Sequence, residues 1–255
     1  MDTARIAELL EPFLCAPSQP AAEPRRVEPA GAGEESVVLS PVQLQHISTY
    51  IDILVRWNAR INLTAIRDPE DIVTRHFGES LFAARHLFPG GQAVPGGRAA
   101  LQGCGNGQEE MGALAPEAAE TTVADVGSGA GFPGLPIKLW APHIALTLIE
   151  SNHKKAAFLR EVARTLTLTD VNIQISRAET LTGTVFNTVT LRAVERFESI
   201  LPTAAALVAP SGRLALLISS AQEEETHSTL PGFNWSTPSP IPHSRSRILL
   251  IAYKQ

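Results

Sequence analysis

The sequence predicts an α/β fold in which a mostly parallel, doubly wound sheet of Rossmann-like type follows an N-terminal helical segment. Three observations support this prediction. From residue 122 onward, short apolar runs alternate with stretches of helical periodicity, as is typical of parallel sheets. A glycine-rich loop directly follows the first of these runs, and residues 40–88 have the apolar spacing of amphipathic helices. A chain of 255 residues is long enough for one such core with a small accessory element.

Composition divides the chain into four segments. Residues 1–39 are expected to contain a short helix at 5–14 and a flexible linker, because residues 16–36 hold four prolines and almost no large apolar side chain. Residues 40–88 form the helical segment, residues 89–121 are a Gly/Pro-rich insertion, and residues 122–255 form the Rossmann-like core. No function is assigned to the linker or the insertion.

Two start signals mark the helical segment. Ser40-Pro41-Val42-Gln43 combines a serine N-cap, a proline at the first helical position and a capping-box glutamine. Asp68-Pro69 repeats the signal. The apolar residues that follow the first start are Leu44, Ile47, Ile51, Leu54 and Val55, and those that follow the second are Ile72, Val73, Phe77, Leu81 and Phe82. Their spacing predicts one buried face on each helix.

The sheet domain is predicted from six apolar runs. They are Thr122–Val126, Ala145–Glu150, Val171–Ile175, Thr188–Ala193, Arg213–Ile218 and a final strand at Arg247–Ala252. Helices are predicted at Lys154–Leu166 and Ile200–Val208. Trp235–Ile241 is interrupted by prolines and is expected to be a poor partner strand at an edge.

The loop after the first strand indicates a ligand site, because such sheets bind ligands at the carboxyl ends of their strands. Gly127 and Gly129 permit positive φ and a close approach of the backbone. The helix that opens with Pro133 is expected to offer N–H groups to an anion, and Asp125 places a carboxylate beside the same loop. This mixture suits a zwitterionic amino acid next to a sulfonium cation, which is the chemistry of S-adenosylmethionine.

The same loop leaves a second cofactor open. Residues 129–134 also match G-x-G-x-x-G, the dinucleotide fingerprint, so a nicotinamide-dependent oxidoreductase is an alternative. Asp125, two residues before the first glycine, and the proline inside the loop favour the methyl donor. Glu150 ends the second strand and is expected to accept hydrogen bonds from ribose hydroxyls with either cofactor.

Taken together, the motifs resemble one family, the bacterial small-subunit ribosomal RNA guanine-N7 methyltransferases RsmG or GidB. The resemblance covers residues ~40–88 and ~122–218, more than half of the chain. The matching motifs are Trp57-Asn58, residues 61–64 (INLT), 67–69 (RDP), 75–77 (RHF), Ser80-Leu81, residues 125–139 (DVGSGAGFPGLPIKL), Glu150-Ser151 with Lys154 and Phe158-Leu159, residues 176–179 (SRAE) and 191–194 (LRAV). Their combination is far more specific than the glycines alone.

The resemblance implies a class I methyltransferase that uses S-adenosylmethionine. It implies that Gly127 and Phe132 contact the methyl donor, that Ala178 and Glu179 contact its adenosine, and that Arg192 is the catalytic candidate at the boundary between cofactor and substrate. The implied substrate is a guanine of 16S ribosomal RNA, free or in the assembled small subunit. Guanine N7 carries a free lone pair, so the transfer needs positioning and not a base. A small-molecule methyltransferase of the same fold is an alternative.

The sequence departs from the family pattern at two places. Glu79 stands where the family often has Asp, which is a mild change. Ile218 and Ser219 stand where a lysine and a glycine are common. If that lysine contacts RNA, one phosphate contact is either lost or compensated by Arg192, Arg196 or Arg213. A methyltransferase-like binding protein without activity is therefore a further alternative.

Charge and composition place only broad limits on the substrate and the location of the protein. The net charge is −5, but segments 1–36 and 91–122 carry eleven acidic and four basic residues, and the remainder carries 15 acidic and 17 basic residues. An RNA substrate is compatible with that balance. No apolar run approaches the ~20 residues of a membrane span, and the first residues lack the apolar core of a signal peptide. We expect a cytoplasmic monomer.

No metal is expected from the sequence. The seven histidines lack a ligand spacing such as H-E-x-x-H. Cys15 and Cys104 lie in Pro/Gly/Ala-rich stretches without further ligands nearby and are expected to be incidental thiols. His76 is expected to have a core or helix-surface role, with hydrogen bonding to substrate as the alternative.

Overall fold

A computed structural model describes residues 1–15, 38–89, 121–192 and 197–255, and these residues form a sheet covered by helices on both faces. The strands are β1 (Thr122–Val126), β2 (Ala145–Ile149), β3 (Val171–Gln174), β4 (Phe186–Arg192), β5 (Val208–Ser219), β6 (Phe233–Trp235), β7 (Ser239–Pro240) and β8 (Arg247–Lys254). The linker at 16–36 and most of the insertion at 89–121 lie outside the described residues.

Strand order in the sheet is β3-β2-β1-β4-β5-β8-β6, and β7 also pairs with β8. The strands β1 to β5 pair in parallel, whereas β8 runs antiparallel to its neighbours. The chain winds outward from β1 in one direction to β3 and in the other to β5. The strand order therefore reverses between β1 and β4, the place where sheets of this kind bind ligands.

Alternation of side chains explains why the strands are apolar throughout. In β5, Leu214, Leu216 and Ile218 belong to the core on one face, whereas Ala215 and Leu217 belong to the core on the other. Successive side chains of a strand point to opposite faces. Because helices cover both faces, both sets are buried, as is usual for parallel sheets.

The helices form two layers. They are α1 (Thr3–Leu14), α2 (Pro41–Asn58), α3 (Pro69–Asp71), a π-helix (Ile72–Gly78), α4 (Glu79–Leu87), α5 (Gly134–Trp140), α6 (His153–Thr165), α7 (Phe197–Ala206) and α8 (Glu223–Thr229), with 3₁₀ turns at Ala178–Thr180 and Ser220–Gln222. Residues of α1, α2, the π-helix, α4, α5 and α6 build the core on one face, and α7 and α8 cover the other. None of the described helices is both long and apolar enough to span a membrane.

Both helix starts that the sequence predicts are confirmed. Ser40 Oγ accepts a hydrogen bond from the Gln43 N–H at 3.2 Å, and Gln43 Oε1 accepts one from the Ser40 N–H at 2.8 Å. The Asp68 carboxylate accepts hydrogen bonds from the N–H groups of Glu70 and Asp71 at 2.9 and 3.0 Å. These contacts satisfy backbone donors that the first turn of a helix leaves without partners.

The N-terminal helix packs into the helical layer through Ile6, Leu10 and Phe13, which are buried. Gly78 makes this packing possible, because a Cβ at that position would lie 2.6 Å from the Phe13 ring. The sequence predicts a helix at residues 5–14, and the helix begins two residues earlier, capped by Asp2.

Several predicted boundaries are wrong by one to five residues. Helix α7 ends at Ala206, and Val208 belongs to β5 because it pairs with Phe186. The predicted edge strand at 235–241 is split into β6 and β7, which both pair with β8. Strands β2 and β3 end one residue before Glu150 and Ile175. Ala193, the predicted end of the fourth strand, lies outside the described residues.

Candidate active site

The glycine-rich loop after β1 lies at the carboxyl edge of the sheet and is tied to β2. The N–H groups of Gly127 and Ser128 donate to the Ile149 carbonyl at 2.9 and 3.1 Å. Gly127 and Gly129 have φ values of 69° and 55°, a region that glycine adopts at little cost. The turn predicted from these glycines is therefore present.

Two glycines of the loop face different surroundings. A Cβ on Gly131 would overlap the Tyr50 hydroxyl and lie 2.6 Å from Leu135 Cδ1. A Cβ on Gly129 would meet only Gly127 O, at an ordinary 3.7 Å. Gly131 therefore serves the packing of the loop on the protein, whereas the space beside the Gly129 Cα is open.

Asp125 supports the loop from beneath. Its carboxyl group is almost fully buried, and it accepts hydrogen bonds from the Thr190 hydroxyl at 2.8 Å and the Gly134 N–H at 3.2 Å. Burial raises the pKa of Asp125 to about 6, against the opposing effect of these hydrogen bonds. The sequence suggests that the first N–H groups of α5 face an anionic ligand; in the structure Asp125 itself binds the N–H of Gly134, because the carboxylate lies directly behind the helix start.

Glu150 joins the glycine loop to the loop after β2. One carboxylate oxygen accepts the Gly129 N–H at 2.9 Å, and the other accepts the Asn152 N–H at 2.7 Å. Each carboxylate oxygen can accept a second hydrogen bond. The buried carboxylate is thus held in place by the protein and can still accept from a hydroxyl group.

The loop after β3 carries the residues predicted to contact adenosine. The 3₁₀ turn begins at Ala178, which is buried, whereas the Glu179 side chain is exposed. The first hydrogen bond of the turn is donated by the Thr180 N–H to the Arg177 carbonyl. Ala178 and Glu179 come before Thr180, so the turn itself does not use their N–H groups. Ser176 Oγ is buried and has no hydrogen-bond partner among the described residues.

Phe132 joins the loop to the helical layer through a stack of three rings. Its ring lies parallel to Tyr50, with 5.4 Å between centroids, and to His76, with 4.7 Å between centroids. The Tyr50 hydroxyl donates to the Ala130 carbonyl at 2.5 Å, and burial raises its pKa, so it remains a donor. The family resemblance implies that Phe132 contacts the methyl donor, and this stays a prediction; in the structure the whole residue is only 6% exposed, and its ring stacks on Tyr50 and His76.

Arg192 is the last residue of β4 and reaches from the sheet to the π-helix. Its Nε and Nη2 donate to Glu79 Oε2 at 3.3 and 3.0 Å. Its Nη2 also donates to the Arg75 carbonyl at 2.6 Å. The side chain is 9% exposed, and burial lowers its pKa while Glu79 opposes that shift. The sequence indicates Arg192 but gives no sign of the residues that hold it.

His76 is a buried acceptor in this network. Burial, followed by the charges of Arg192, Arg75 and Arg247, lowers its pKa to about 3, so the ring is neutral at physiological pH. Nδ1 accepts from Arg192 Nη1 at 3.1 Å, which leaves Nε2 as the donor to Thr64 Oγ1 at 2.8 Å. The expected core role is therefore observed, and His76 also helps to hold Arg192.

Arg247 is the first residue of β8 and adds a second arginine at this edge. It pairs in register with Ser219, beside the position where the family lysine is absent. Its Nη2 donates to the Leu217 carbonyl at 3.1 Å. Its Nε lies 3.0 Å from Glu79 Oε2 but is not aligned for a hydrogen bond, so this contact is electrostatic.

The three arginines considered as replacements for the family lysine have different positions. Arg213 pairs in register with Thr188, near the start of β4, and therefore lies toward the opposite edge of the sheet. It cannot compensate at the site, and that part of the hypothesis is wrong. Arg196 lies outside the described residues. Ile218 is buried, since its side chain points into the core below α7 and α8.

The site residues fit S-adenosylmethionine. Three features suit a nucleoside attached to an amino acid: the open space beside the Gly129 Cα, the anchored carboxylate of Glu150, and the Ser176 hydroxyl, which has no partner among the described residues. Within the described parts of the chain, no group of three or more His, Cys, Asp or Glu residues could hold a metal ion.

The strand order, the glycine loop after β1 and the acidic residue after β2 define a class I methyltransferase that depends on S-adenosylmethionine. The fold is similar to that of a ribosomal protein L11 methylase from Lactobacillus delbrueckii subsp. bulgaricus, with a TM-score of 0.50 at 14% identity, over 70% of this chain and 80% of that chain.

The model of the family described as rRNA small subunit methyltransferase G (GidB) matches residues 43–94 and 111–236, and the chain belongs to this family. It is 33% identical over 201 residues to the ribosomal RNA small subunit methyltransferase G of Bacillus pumilus (77% of this chain, 72% of the relative). It is 34% identical over 202 residues to the protein of that name from Halorhodospira halophila (79% and 82%). These findings decide against the nicotinamide-dependent oxidoreductase.

Proposed function

We propose that this protein transfers the methyl group of S-adenosylmethionine to N7 of a guanine in 16S ribosomal RNA, with Arg192 at the boundary between cofactor and substrate. The names of its relatives and the motifs at residues 57–80 support the RNA substrate. The observation that carries the proposal is the guanidinium of Arg192, fixed at the end of β4 beside the glycine loop.

The cofactor site of this proposal uses the residues at the ends of β1, β2 and β3. Gly127, Gly129 and Phe132 present loop backbone to the methionine part. Glu150 accepts hydrogen bonds from the ribose, and Ala178 and Glu179 receive the adenosine. Asp125 acts through the loop that it supports, since it is almost fully buried beneath the loop.

The chemistry requires little proton transfer. When bound, the cofactor would supply an electrophilic methyl group: the methyl–sulfur bond breaks as the bond to N7 forms, the positive charge passes from sulfur to the purine, and S-adenosylhomocysteine is left. N7 is a free acceptor on the edge of guanine, so no base has to remove a proton. A neutral His76, whose pKa is lowered to about 3, is compatible with a role in positioning.

Arg192 offers a reason for the choice of guanine. A guanidinium has five N–H groups, and the hydrogen bonds to Glu79, Arg75 and His76 use four of them. The fifth, on Nη1, has no partner among the described residues. Guanine presents O6 beside N7, and arginine donates to this edge. Adenine carries an amino donor in place of O6, so the same N–H group would disfavour it.

The decisive experiment is methylation of small ribosomal subunits that lack the modification, and of the free 16S RNA. Either substrate is incubated with the protein and S-adenosylmethionine, digested to nucleosides and analysed by mass spectrometry. We expect N7-methylguanosine in at least one of the two reactions. The Gly129→Val variant, which should not bind the cofactor, is the control.

Two outcomes would contradict the proposal. A methylated nucleoside other than N7-methylguanosine would change the target atom. No methylation of either substrate, by protein that binds S-adenosylhomocysteine, would favour a binding protein without this activity or a methyltransferase of small molecules.

A further inference from the structure

One buried carboxylate lies between two arginines that come from different strands. Glu79 Oε2 lies 3.0 Å from Arg192 Nη2 and 3.0 Å from Arg247 Nε. The Glu79 side chain is 5% exposed, compared with 9% for Arg192 and 25% for Arg247. The two guanidinium groups thus share a single counter-ion away from bulk water.

The backbone brings these three residues together. Glu79 is the first residue of α4, where the π-helix ends, whereas Arg192 ends β4 and Arg247 begins β8. Both strand positions lie at the edge of the sheet that holds the glycine loop. Glu79 therefore joins the helical layer to two strands at the site.

Among the described residues, no other carboxylate lies close enough to pair directly with the two arginines in place of Glu79. Arg75 and His76 also accept hydrogen bonds from Arg192, but through a carbonyl and a neutral ring. Among the described residues, Glu79 supplies the only carboxylate within 4.0 Å of either guanidinium. A buried cation without a paired anion is strongly disfavoured, so loss of this carboxylate should let Arg192 leave its observed position.

We propose that Glu79 is a positioning residue for methyl transfer, which holds Arg192 toward the substrate and keeps Arg247 beside it. This inference rests on the proposed function, because it takes Arg192 as the residue at the cofactor–substrate boundary. It predicts that the carboxylate controls turnover through the orientation of Arg192, in addition to any contribution to stability.

A purely structural role makes a different prediction. If Glu79 only balances buried charge, removal of one arginine should compensate for removal of the carboxylate. In the Glu79→Gln, Arg247→Gln double variant, one negative and one positive charge are lost together. Comparison of this double variant with Arg247→Gln alone isolates the effect of Glu79 on Arg192.

The experiment measures kcat and KM on small ribosomal subunits, affinity for S-adenosylhomocysteine by calorimetry, and Tm. The variants are Glu79→Gln, Glu79→Asp, Arg247→Gln and the double variant. Glu70→Gln is the matched control, because Glu70 also pairs with an arginine, Arg5 at 2.8 Å, but does so on the exposed surface.

We expect Glu79→Gln to lower kcat at least tenfold while affinity for S-adenosylhomocysteine changes less than threefold. Glu79→Asp keeps the charge and should remain within about fivefold of wild-type kcat. The double variant should recover Tm and yet stay at least tenfold below Arg247→Gln in kcat. Glu70→Gln should match the wild type.

Either of two results would overturn the inference. One is a Glu79→Gln variant with kcat within twofold of wild type. The other is a double variant whose kcat equals that of Arg247→Gln, since charge balance alone would then explain the role of Glu79. If Glu79→Gln does not fold, the double variant and Glu79→Asp still decide between the two roles.

A measurement without turnover separates this inference from the proposed function. Nitrogen-15 spectra of the arginine Nε–H groups provide it, and the Arg192 signal is identified as the one that Arg192→Lys lacks. In the wild type and in Glu70→Gln, this signal should be protected from exchange with water. The signal should lose its protection in the Glu79→Gln, Arg247→Gln double variant. A wild type without methylation would contradict the proposed function alone, whereas a protected signal in the double variant would contradict the positioning role alone.

Discussion

The two ends of α4 are held to the sheet by arginines with different partners. Near its start, at the carboxyl edge, Arg192 binds the buried carboxylate of Glu79. Near its end, toward the amino edge, Arg213 donates to the Leu87 carbonyl at 2.6 Å and lies over the Phe88 ring, 5.0 Å from its centroid.

The contrast shows which interactions are needed to attach a helix and which serve another purpose. At the amino edge, a carbonyl, an aromatic ring and the Thr188 hydroxyl are sufficient to bind Arg213. At the carboxyl edge the chain buries an additional carboxylate and a second arginine. Buried ion pairs contribute little net stability, so the charges at this edge are better explained by the site than by attachment of the helix.

The largest expected effect concerns the open side of the glycine loop. Gly129→Val should weaken binding of S-adenosylhomocysteine at least a thousandfold, about 4 kcal/mol, because the side chain would fill the space that faces the ligand. Gly183→Val is the matched control, since Gly183 also has a positive φ, 76°, and open surroundings. Calorimetry tests both variants. Equal affinities would remove the loop from the cofactor site.

A second prediction concerns the buried acid beneath the loop. Burial raises the pKa of Asp125 from its ordinary 3.8 to about 6, so the folded protein binds this proton more tightly than the unfolded chain does. The resulting stability is fully present below pH 3.8 and is lost as the pH rises through about 6. This contribution of Asp125 to the free energy of unfolding amounts to about 3 kcal/mol.

Asp125→Asn should lack this part of the pH dependence. Urea unfolding of both proteins between pH 4 and pH 7 measures it, with Asp170→Asn as a control at an exposed carboxylate. Curves for wild type and Asp125→Asn that run parallel over this range would contradict the assigned pKa.

The smallest effect is expected where the helical layer supports the loop. Tyr50→Phe removes the hydroxyl that donates to the Ala130 carbonyl but keeps the ring stacked on Phe132. Loss of one such hydrogen bond corresponds to about 1 kcal/mol, so affinity for S-adenosylhomocysteine should fall about fivefold. Tyr253→Phe, on an exposed ring of β8, should leave it unchanged. Unchanged affinity in Tyr50→Phe would mean that the helical layer does not support cofactor binding.

Local patterns were enough to predict much of the fold. The caps at Ser40 and Asp68 depend on residues within one helical turn, and the glycine loop depends on its own backbone. The position of Arg213 could also have been predicted. Arg213 is the first residue of the predicted fifth strand, so it is expected to lie toward the amino edge of the sheet.

Contacts between distant residues were not predictable from one sequence. Glu79 is 113 residues from Arg192 in the chain, and nothing in its neighbourhood indicates that two strands bring arginines to it. The stack of Tyr50 and His76 on Phe132 has the same origin. The sequence therefore predicted the loops that meet at the candidate site better than it predicted the residues that hold them in place.

The most direct test of the contrast between the two edges compares Arg192→Ala with Arg213→Ala in methyl transfer to small ribosomal subunits. Arg192→Ala should lower kcat/KM about a hundredfold, about 2.7 kcal/mol in activation free energy. Arg213→Ala should lose about 2 kcal/mol of stability and stay within twofold of wild-type kcat/KM at a temperature where it is folded. Wild-type kcat/KM in Arg192→Ala, or equal losses in the two variants, would contradict the assignment of the carboxyl edge as the site of methyl transfer.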